Sequence, residues 1–220
     1  RVKERIALAC EASNRMPSEV SLLPITKTFP VDAAKYALGA GCHAVGENRV
    51  QEALIKMKDA PLSLEWELVG HLQSNKVKLA AGHFARIQSV DSPKLLRRLD
   101  AAMVQREDKQ RILLQVNTGQ DPAKFGVDPR DAEALLEEAL ALPGIEVDGF
   151  MTIAPLSEDA DVARRAFASL RELGVRLKER FGAKLDVLSM GMSGDLEAAV
   201  IEGSTLVRVG SSLFGDRISI

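Results

Sequence analysis

The stretch DVLSMGMSGDLEAAVIEGSTLVRVGSS, residues 186–212, decides the fold. It opens with a short apolar run at 186–189, continues as a helical pattern at 196–202 and returns to an apolar run at 206–210. A strand, a helix and a second strand in this order are typical of two parallel strands joined by a crossover helix. Glycine and serine follow both apolar runs. The stretch therefore predicts a parallel α/β unit with small residues in the turns after its strands.

The same alternation extends over most of the chain and sets the fold class. Strands are predicted at 20–26, 43–46, 65–70, 86–90, 111–117, 146–153, 186–189 and 206–210. Helices are predicted at 31–38, 49–58, 74–81, 93–106, 129–142, 160–180 and 196–202, after a first helix at 1–15. Eight such units favour a (β/α)8 TIM barrel with an extra N-terminal helix over an open doubly wound sheet, which usually stops at five or six strands.

Composition narrows the classes of partner. The chain has 220 residues, a net charge of −2 and 46% hydrophobic residues, which predicts one globular domain over 1–220. The sequence shows no basic excess, so we expect no nucleic acid partner, and no apolar stretch long enough for a membrane span. Cys10 and Cys42 are isolated in the sequence, which argues against a disulfide framework or a zinc site and favours a cytoplasmic location. The scattered histidines also give no metal spacing.

Lys27 follows the apolar run at 20–26, at the end of the first predicted strand. In a barrel, the active site lies at the C-terminal ends of the strands. Burial there disfavours an ammonium ion and lowers the pKa of a lysine, as a Schiff-base amine requires. The alternative is a lysine whose stem packs while its charged head reaches solvent.

The loops after strands seven and eight indicate a phosphate site. Barrel enzymes often hold a phosphate with these two loops, and small residues let backbone N–H groups approach it. Ser193 could instead be an ordinary helix cap. Arg208 lies within an apolar run and needs a partner, which could be a structural carboxylate. A lysine, a phosphate site and a strand arginine together fit pyridoxal 5′-phosphate (PLP), with the arginine facing an unprotonated ring nitrogen.

Five longer motifs resemble a known family, the pyridoxal phosphate homeostasis proteins (the YggS/PROSC family). They lie at 25–28, 46–52, 70–76, 188–193 and 207–211. The resemblance implies a barrel like the N-terminal domain of alanine racemase, with Lys27 as the Schiff-base lysine. It also implies that Asn48 lies near the cofactor, that Ser193, Gly210 and Ser211 form the phosphate cup and that Arg208 faces the ring nitrogen. The residues predicted to bind the cofactor are Lys27, Asn48, Met192, Ser193, Arg208, Gly210 and Ser211.

The resemblance implies a carrier or buffer of PLP in vitamin B6 homeostasis, and the lack of an obvious exposed apolar stripe in the sequence predicts a monomer. Such a protein would influence the balance of amino acids and keto acids, make transient contact with PLP-dependent apoenzymes and carry no assigned reaction. The alternative is a PLP-dependent amino-acid racemase, which needs a second base opposite Lys27. The one tyrosine, Tyr36, falls in the first barrel helix and argues against that. A third hypothesis is a barrel enzyme without PLP that acts on a phosphorylated sugar.

Overall fold

The computed structural model describes residues 1–157 and 159–215, so Glu158 and the last five residues of the predicted domain 1–220 lie outside it. The strands are β1 Ser21–Pro24, β2 Ala44–Glu47, β3 Glu65–Leu68, β4 Arg86–Val90, β5 Gln110–Gln115, β6 Ile145–Met151, β7 Val187–Ser189 and β8 Leu206–Val209. The longer helices are α1 Val2–Ala12, α2 Val31–Gly39, α3 Val50–Met57, α5 Pro93–Val104, α6 Ala132–Ala141 and α7 Ala160–Phe181. The shorter ones are α4 Val77–Ala80, α8 Leu196–Ile201 and α9 Ser211–Phe214, with 3₁₀ turns at Pro17–Glu19 and Ser74–Lys76.

The eight strands form one parallel sheet that closes on itself. Their order is β1-β8-β7-β6-β5-β4-β3-β2, and β1 meets β2 through a single bridge between Ile25 and Gly46. A Cβ on Gly46 would lie 2.4 Å from Cδ1 of Ile25, so a glycine at 46 allows this close approach. The predicted (β/α)8 barrel, with α1 as its extra N-terminal helix, is confirmed.

The main core lies between the sheet and the surrounding helices. Phe150 of β6 and Phe167 of α7 are both fully buried in it. Every residue of β4 is buried, as is typical of a parallel strand covered on both faces. A smaller apolar cluster of Leu23, Ile25 and Leu206 packs separately. Apolar burial on the outer face of the sheet therefore stabilises the barrel and leaves part of its interior to polar side chains.

The predicted helix ends differ in one informative case. The helix predicted at 93–106 begins at Pro93, and Ser92 caps it, since its hydroxyl accepts from the N–H of Leu95. The helix start predicted at Asp128-Pro129 is wrong, because α6 begins only at Ala132. The Asp128 carboxylate accepts instead from the backbone N–H of Arg130, two residues on, and from the Arg130 guanidinium. An aspartate that bonds its own backbone two residues later forms a turn, which competes with a helix start.

Helix α1 packs against α8 and is attached to it by an ion pair. Ile6 and Cys10 share an apolar cluster with Leu196 and Val200. The Arg5 guanidinium donates to both carboxylate oxygens of Glu197, over 2.6 and 2.8 Å. It also donates to the backbone carbonyl of Ser193, at 3.1 Å. The N-terminal helix therefore supports the loop after β7.

We expect the Arg5–Glu197 pair to make stability depend on pH. The hydrogen bond from Arg5 lowers the pKa of Glu197 below its ordinary value, although burial opposes this. A carboxylate with a depressed pKa in the folded state stabilises the fold above its unfolded pKa, and that contribution disappears as pH falls through the folded pKa. At pH 7, Glu197→Gln should therefore lower the melting temperature by about 1–3 °C. The difference from wild type should vanish once the pH is low enough to protonate Glu197 in the folded protein; a difference that persists there would assign the effect to something other than the charge.

The sequence predicts no disulfide framework and no membrane-spanning segment, and the structure bears on both. Cys10 and Cys42 are both buried, and neither is in a disulfide. Among the helices of residues 1–157 and 159–215, none combines the length and the apolar character that crossing a membrane requires.

Candidate functional site

A cavity of about 260 Å³ lies at the C-terminal ends of the strands. Its lining comprises Ile25, Lys27, Asn48, Val69, Ile153, Met192, Ser193, Gly194, Arg208, Gly210 and Ser211. All seven residues predicted to bind a cofactor are in this set. Ile25, Val69, Ile153 and Gly194 line the cavity as well and were not predicted. The structure thus brings the seven predicted residues together, and their contact with a cofactor stays a prediction.

The cavity favours an anionic ligand. Lys27 and Arg208 both line it, and no carboxylate does in the part of the chain that the structure describes. Two cations at an opening with low-dielectric walls raise the local concentration of anions. The volume lies near the lower end for small-molecule sites. A compact phosphorylated ligand therefore fits the charge and the size of the cavity.

Arg208 is held by neutral groups although it is deeply buried. Its Nη1 donates to the Ser189 hydroxyl at 2.6 Å, and its Nη2 donates to the Thr152 carbonyl at 2.8 Å. Burial lowers its pKa to about 10, and the charges of Asp195 and Glu67 oppose this. The guanidinium is therefore still protonated at neutral pH and acts only as a donor. Within residues 1–157 and 159–215, no carboxylate forms an ion pair with Arg208, so the structural carboxylate considered for it is not found there.

Hydrogen bonds inside the barrel connect Arg208 to the negatively charged side chain of Glu67. We call Arg208, Ser189, Gln88, Glu67, Arg86 and Asp148 the interior network. The Ser189 hydroxyl bonds Gln88 at 2.6 Å, and Gln88 bonds Glu67 at 2.6 Å. Strands β4 and β7 are not neighbours in the sheet, so the bond between Gln88 and Ser189 crosses the inside of the barrel.

Beyond Glu67, the interior network continues as ion pairs. Arg86 donates to both oxygens of Glu67, over 2.7 and 3.0 Å, and to Asp148 at 2.9 Å. Arg86 and Glu67 are also register partners on adjacent strands. Sequence reasoning missed these residues. The sequence indicates them only by polar residues that interrupt the apolar runs of the predicted strands at 65–70 and 86–90.

The direction of donation in the interior network is fixed by Glu67. An ionised carboxylate only accepts hydrogen bonds, so Gln88 must turn its amide nitrogen toward Glu67. The Gln88 oxygen then faces Ser189 and accepts from its hydroxyl. Ser189 in turn accepts from Arg208. Glu67 therefore orients the Arg208 guanidinium through two intervening side chains.

Ser193 and Ser211 lie at the mouth of the cavity, in the loops after β7 and β8. Their hydroxyl oxygens are 3.1 Å apart. Ser193 is not a helix cap, because Asp195 occupies that position before α8. Asp195 accepts from the backbone N–H of Met192 at 2.6 Å, so that N–H is committed within the loop. Met192 consequently offers its side chain to the cavity, while the two serine hydroxyls form a polar edge.

Glu47 lies at the end of β2 and bonds the side chains of Thr26, which precedes Lys27, and of Lys56 in α3. Glu47 is fully buried, and its Oε1 accepts from the Thr26 hydroxyl at 2.6 Å and from Lys56 at 2.7 Å. Burial raises the pKa of Glu47, although the bonds from Lys56 and Thr26 oppose this. Among the described residues, its Oε2 has no hydrogen-bond partner. Glu47 therefore fixes Thr26, the residue before Lys27, and the Lys56 ammonium group.

Asn48 is held beside the cavity by close backbone packing. A Cβ on Gly70 would lie 2.1 Å from the carbonyl oxygen of Asn48, which no side chain could tolerate. Glycine at the end of β3 thus lets the loop after β2 approach it. Tyr36 is 69% exposed and lines another pocket, with Leu213 and Phe214, so it is not placed as a base opposite Lys27. Within the described ranges, no cluster of three or more histidine, cysteine, aspartate or glutamate side chains could hold a metal ion.

Comparisons with known proteins agree with this geometry. Residues 10–218 match the family model described as alanine racemase, N-terminal domain. A protein of Aquifex aeolicus named pyridoxal phosphate homeostasis protein is 41% identical over 220 residues, covering 99% of this chain and 96% of that protein. The structure of PipY from Synechococcus elongatus with PLP bound has a TM-score of 0.84 at 39% identity, covering 98% of this chain and all of that one. A Clostridium difficile alanine racemase, at 14% identity and a TM-score of 0.77, covers 98% of this chain and 56% of its own and shows the fold alone.

Proposed function

This chain belongs to the pyridoxal phosphate homeostasis proteins and to the alanine racemase N-terminal domain family, and we propose on that basis that it carries PLP reversibly. One observation carries the proposal: Lys27, Arg208 and the two serine hydroxyls line the same cavity. When bound, the cofactor supplies an aldehyde that condenses with a primary amine to a Schiff base, releases one water and is freed again by hydrolysis. We assign that amine to Lys27.

The other lining residues orient the cofactor. Arg208 would donate to the pyridine nitrogen of bound PLP, and because it keeps its proton, that nitrogen would stay unprotonated and be a weak electron sink. Ser193 and Ser211 would donate hydrogen bonds to the phosphate, and Gly194 and Gly210 would leave room for it because they have no side chain. Asn48 and Met192 would border the ring. A weak electron sink suits storage better than cleavage of bonds to the amino-acid α-carbon.

A carrier role is supported over racemisation by the surroundings of Lys27. Racemisation needs a base on each face of the substrate, and Tyr36 lies in a separate pocket. As a carrier or buffer, the protein would influence the balance of amino acids and keto acids by setting the supply of the cofactor. We further propose that it works in the cytoplasm as a monomer and meets PLP-dependent apoenzymes transiently. The two free, buried cysteines are consistent with a reducing compartment.

Titration of the purified chain with PLP tests this proposal. A lysine-bound cofactor absorbs visible light, so we expect a visible band that saturates at one cofactor per chain. Reduction with borohydride should fix one cofactor mass on the peptide that contains Lys27. Addition of a PLP-dependent apoenzyme to the unreduced complex should transfer the cofactor and restore that enzyme's activity. A chain that gains neither the band nor the mass does not carry PLP on a lysine, and turnover of alanine above the level of a Lys27→Ala variant would favour the racemase.

A further inference from the structure

Lys27 lies in a tight turn and not within a strand. Strand β1 ends at Pro24, and the N–H of Phe29 donates to the carbonyl of Thr26 at 3.1 Å. This hydrogen bond closes a four-residue turn, 26–29, with Lys27 in its second position. Thr28, in the third position, has a φ of +67°. A turn with positive φ at its third position strongly favours glycine, and a β-branched residue is strained there.

Glu52 holds the strained residue. Its Oε1 accepts from the backbone N–H of Thr28 at 2.7 Å. Glu52 is in α3, one turn of helix before Lys56, and the same oxygen accepts from Lys56 at 2.8 Å. These two bonds lower the pKa of Glu52 although burial opposes them, so the acceptor is ionised at neutral pH. A charged acceptor makes the stronger hydrogen bond to Thr28.

Lys56 holds the other side of Lys27. Its ammonium group is buried and donates to the Thr26 carbonyl at 2.8 Å, to Glu47 at 2.7 Å and to Glu52 at 2.8 Å. An ammonium group has three donors, and each of them meets one of these acceptors. Glu47 also accepts from the Thr26 hydroxyl, and the Thr26 N–H donates to the carbonyl of Gly46. The residues before and after Lys27 are thus both fixed by groups of β2 and α3.

We propose that Glu52 and Lys56 are positioning residues for Lys27. They hold the turn in the strained conformation that directs the lysine into the cavity, Glu52 by the N–H of Thr28 and Lys56 by the carbonyl of Thr26. Neither residue lines the cavity, so they act through the backbone. The proposal rests on the function proposed above, since the position of Lys27 is tested by measuring how tightly the chain binds PLP.

A double-mutant cycle between Glu52 and Thr28 tests this role. Glu52→Ala removes the acceptor, and we expect the dissociation constant for PLP to rise about tenfold. Thr28→Gly removes the strain, because glycine accepts positive φ without steric cost. It should change the affinity of the wild type by less than about threefold. In the Glu52→Ala background, it should restore the affinity to within about threefold of wild type.

A matched control and a measurement without cofactor separate positioning from loss of structure. Glu19 also accepts a backbone N–H, from Met16, and an arginine, and it lies outside the cavity, so Glu19→Ala should leave the affinity unchanged. In the cofactor-free chain, hydrogen exchange at the Thr28 amide should become at least about tenfold faster in Glu52→Ala.

The outcomes are distinct. If wild type binds PLP and Glu52→Ala binds it equally well, or if Thr28→Gly gives no rescue, the positioning role is wrong. Unchanged exchange at Thr28 in Glu52→Ala would also overturn it. If wild type itself does not bind PLP, the proposed function fails, and the positioning role fails with it.

Discussion

Replacing Lys27 with alanine is expected to abolish the visible band that PLP gives with the wild-type chain. The affinity should fall at least about 100-fold, which corresponds to about 2.7 kcal/mol. The covalent bond is lost, and the remaining contacts from Arg208 and the two serine hydroxyls hold the cofactor only by hydrogen bonds and charge. Absorption titration gives the first quantity, and ultrafiltration of bound from free cofactor gives the second.

Lys35→Ala is the matched control for this variant. Lys35 lies on α2, and its ammonium group is 3.7 Å from the carboxylate of Asp32 on the surface. Its removal should leave both the band and the affinity as in wild type. A band that persists in Lys27→Ala, or a borohydride label on Lys56, would show that another lysine carries the cofactor.

Replacing Glu67 with glutamine is expected to lower the free energy of unfolding by about 3 kcal/mol. The side chain keeps its size, but Arg86 loses the carboxylate that it pairs with in two hydrogen bonds. In glutamine an NH2 group, which cannot accept, replaces one of the two carboxylate oxygens, so at least one of the three donor groups of Arg86 and Gln88 loses its bond. Urea unfolding of the cofactor-free chain, with the slope checked for constancy, measures this loss.

The exposed pair of Asp128 and Arg130 supplies the control for Glu67→Gln. Asp128→Asn removes a charge of the same sign from a pair whose arginine is 88% exposed, and we expect the free energy of unfolding to change by less than about 1 kcal/mol. A Glu67→Gln variant that is as stable as wild type would show that the interior network does not stabilise the barrel.

The barrel could be predicted from the sequence because each of its strands and helices leaves a pattern in a short stretch of the chain. Apolar runs and helical patterns alternate within about 25 residues, and a parallel sheet follows from that order. The sequence also allowed a shared site to be predicted for Lys27, Arg208 and the loops after β7 and β8, because the ends of parallel strands meet at one face of a barrel. The seven predicted residues accordingly line one cavity. Their contact with PLP is still a prediction.

The interior network and the support of Lys27 could not be predicted in the same way. Gln88 and Ser189 are 101 residues apart and meet only because the sheet closes. Lys56 looks like any charged residue near a helix end until Thr26 and Glu47 are seen to share its ammonium group. The false helix start at Asp128-Pro129 has a local cause, because an aspartate before proline begins a turn as readily as a helix. Pairings across the barrel therefore depend on the tertiary structure, whereas the false helix start reflects two local conformations that the same residues can adopt.

In the interior network, every hydrogen bond from Arg208 to Gln88 runs in a fixed direction, and the network cannot conduct protons. Relay along a hydrogen-bonded path requires every member to accept a proton on one side and release one on the other. Arg208 has no lone pair to accept with, and the Gln88 amide does not exchange its protons readily at neutral pH. The path can transmit the charge of Glu67 toward Arg208 as polarisation, but it transmits no hydrogen ion. Arg208, and through it the cavity, therefore experiences the charge of Glu67 without exchanging a hydrogen ion with Glu67 along this path.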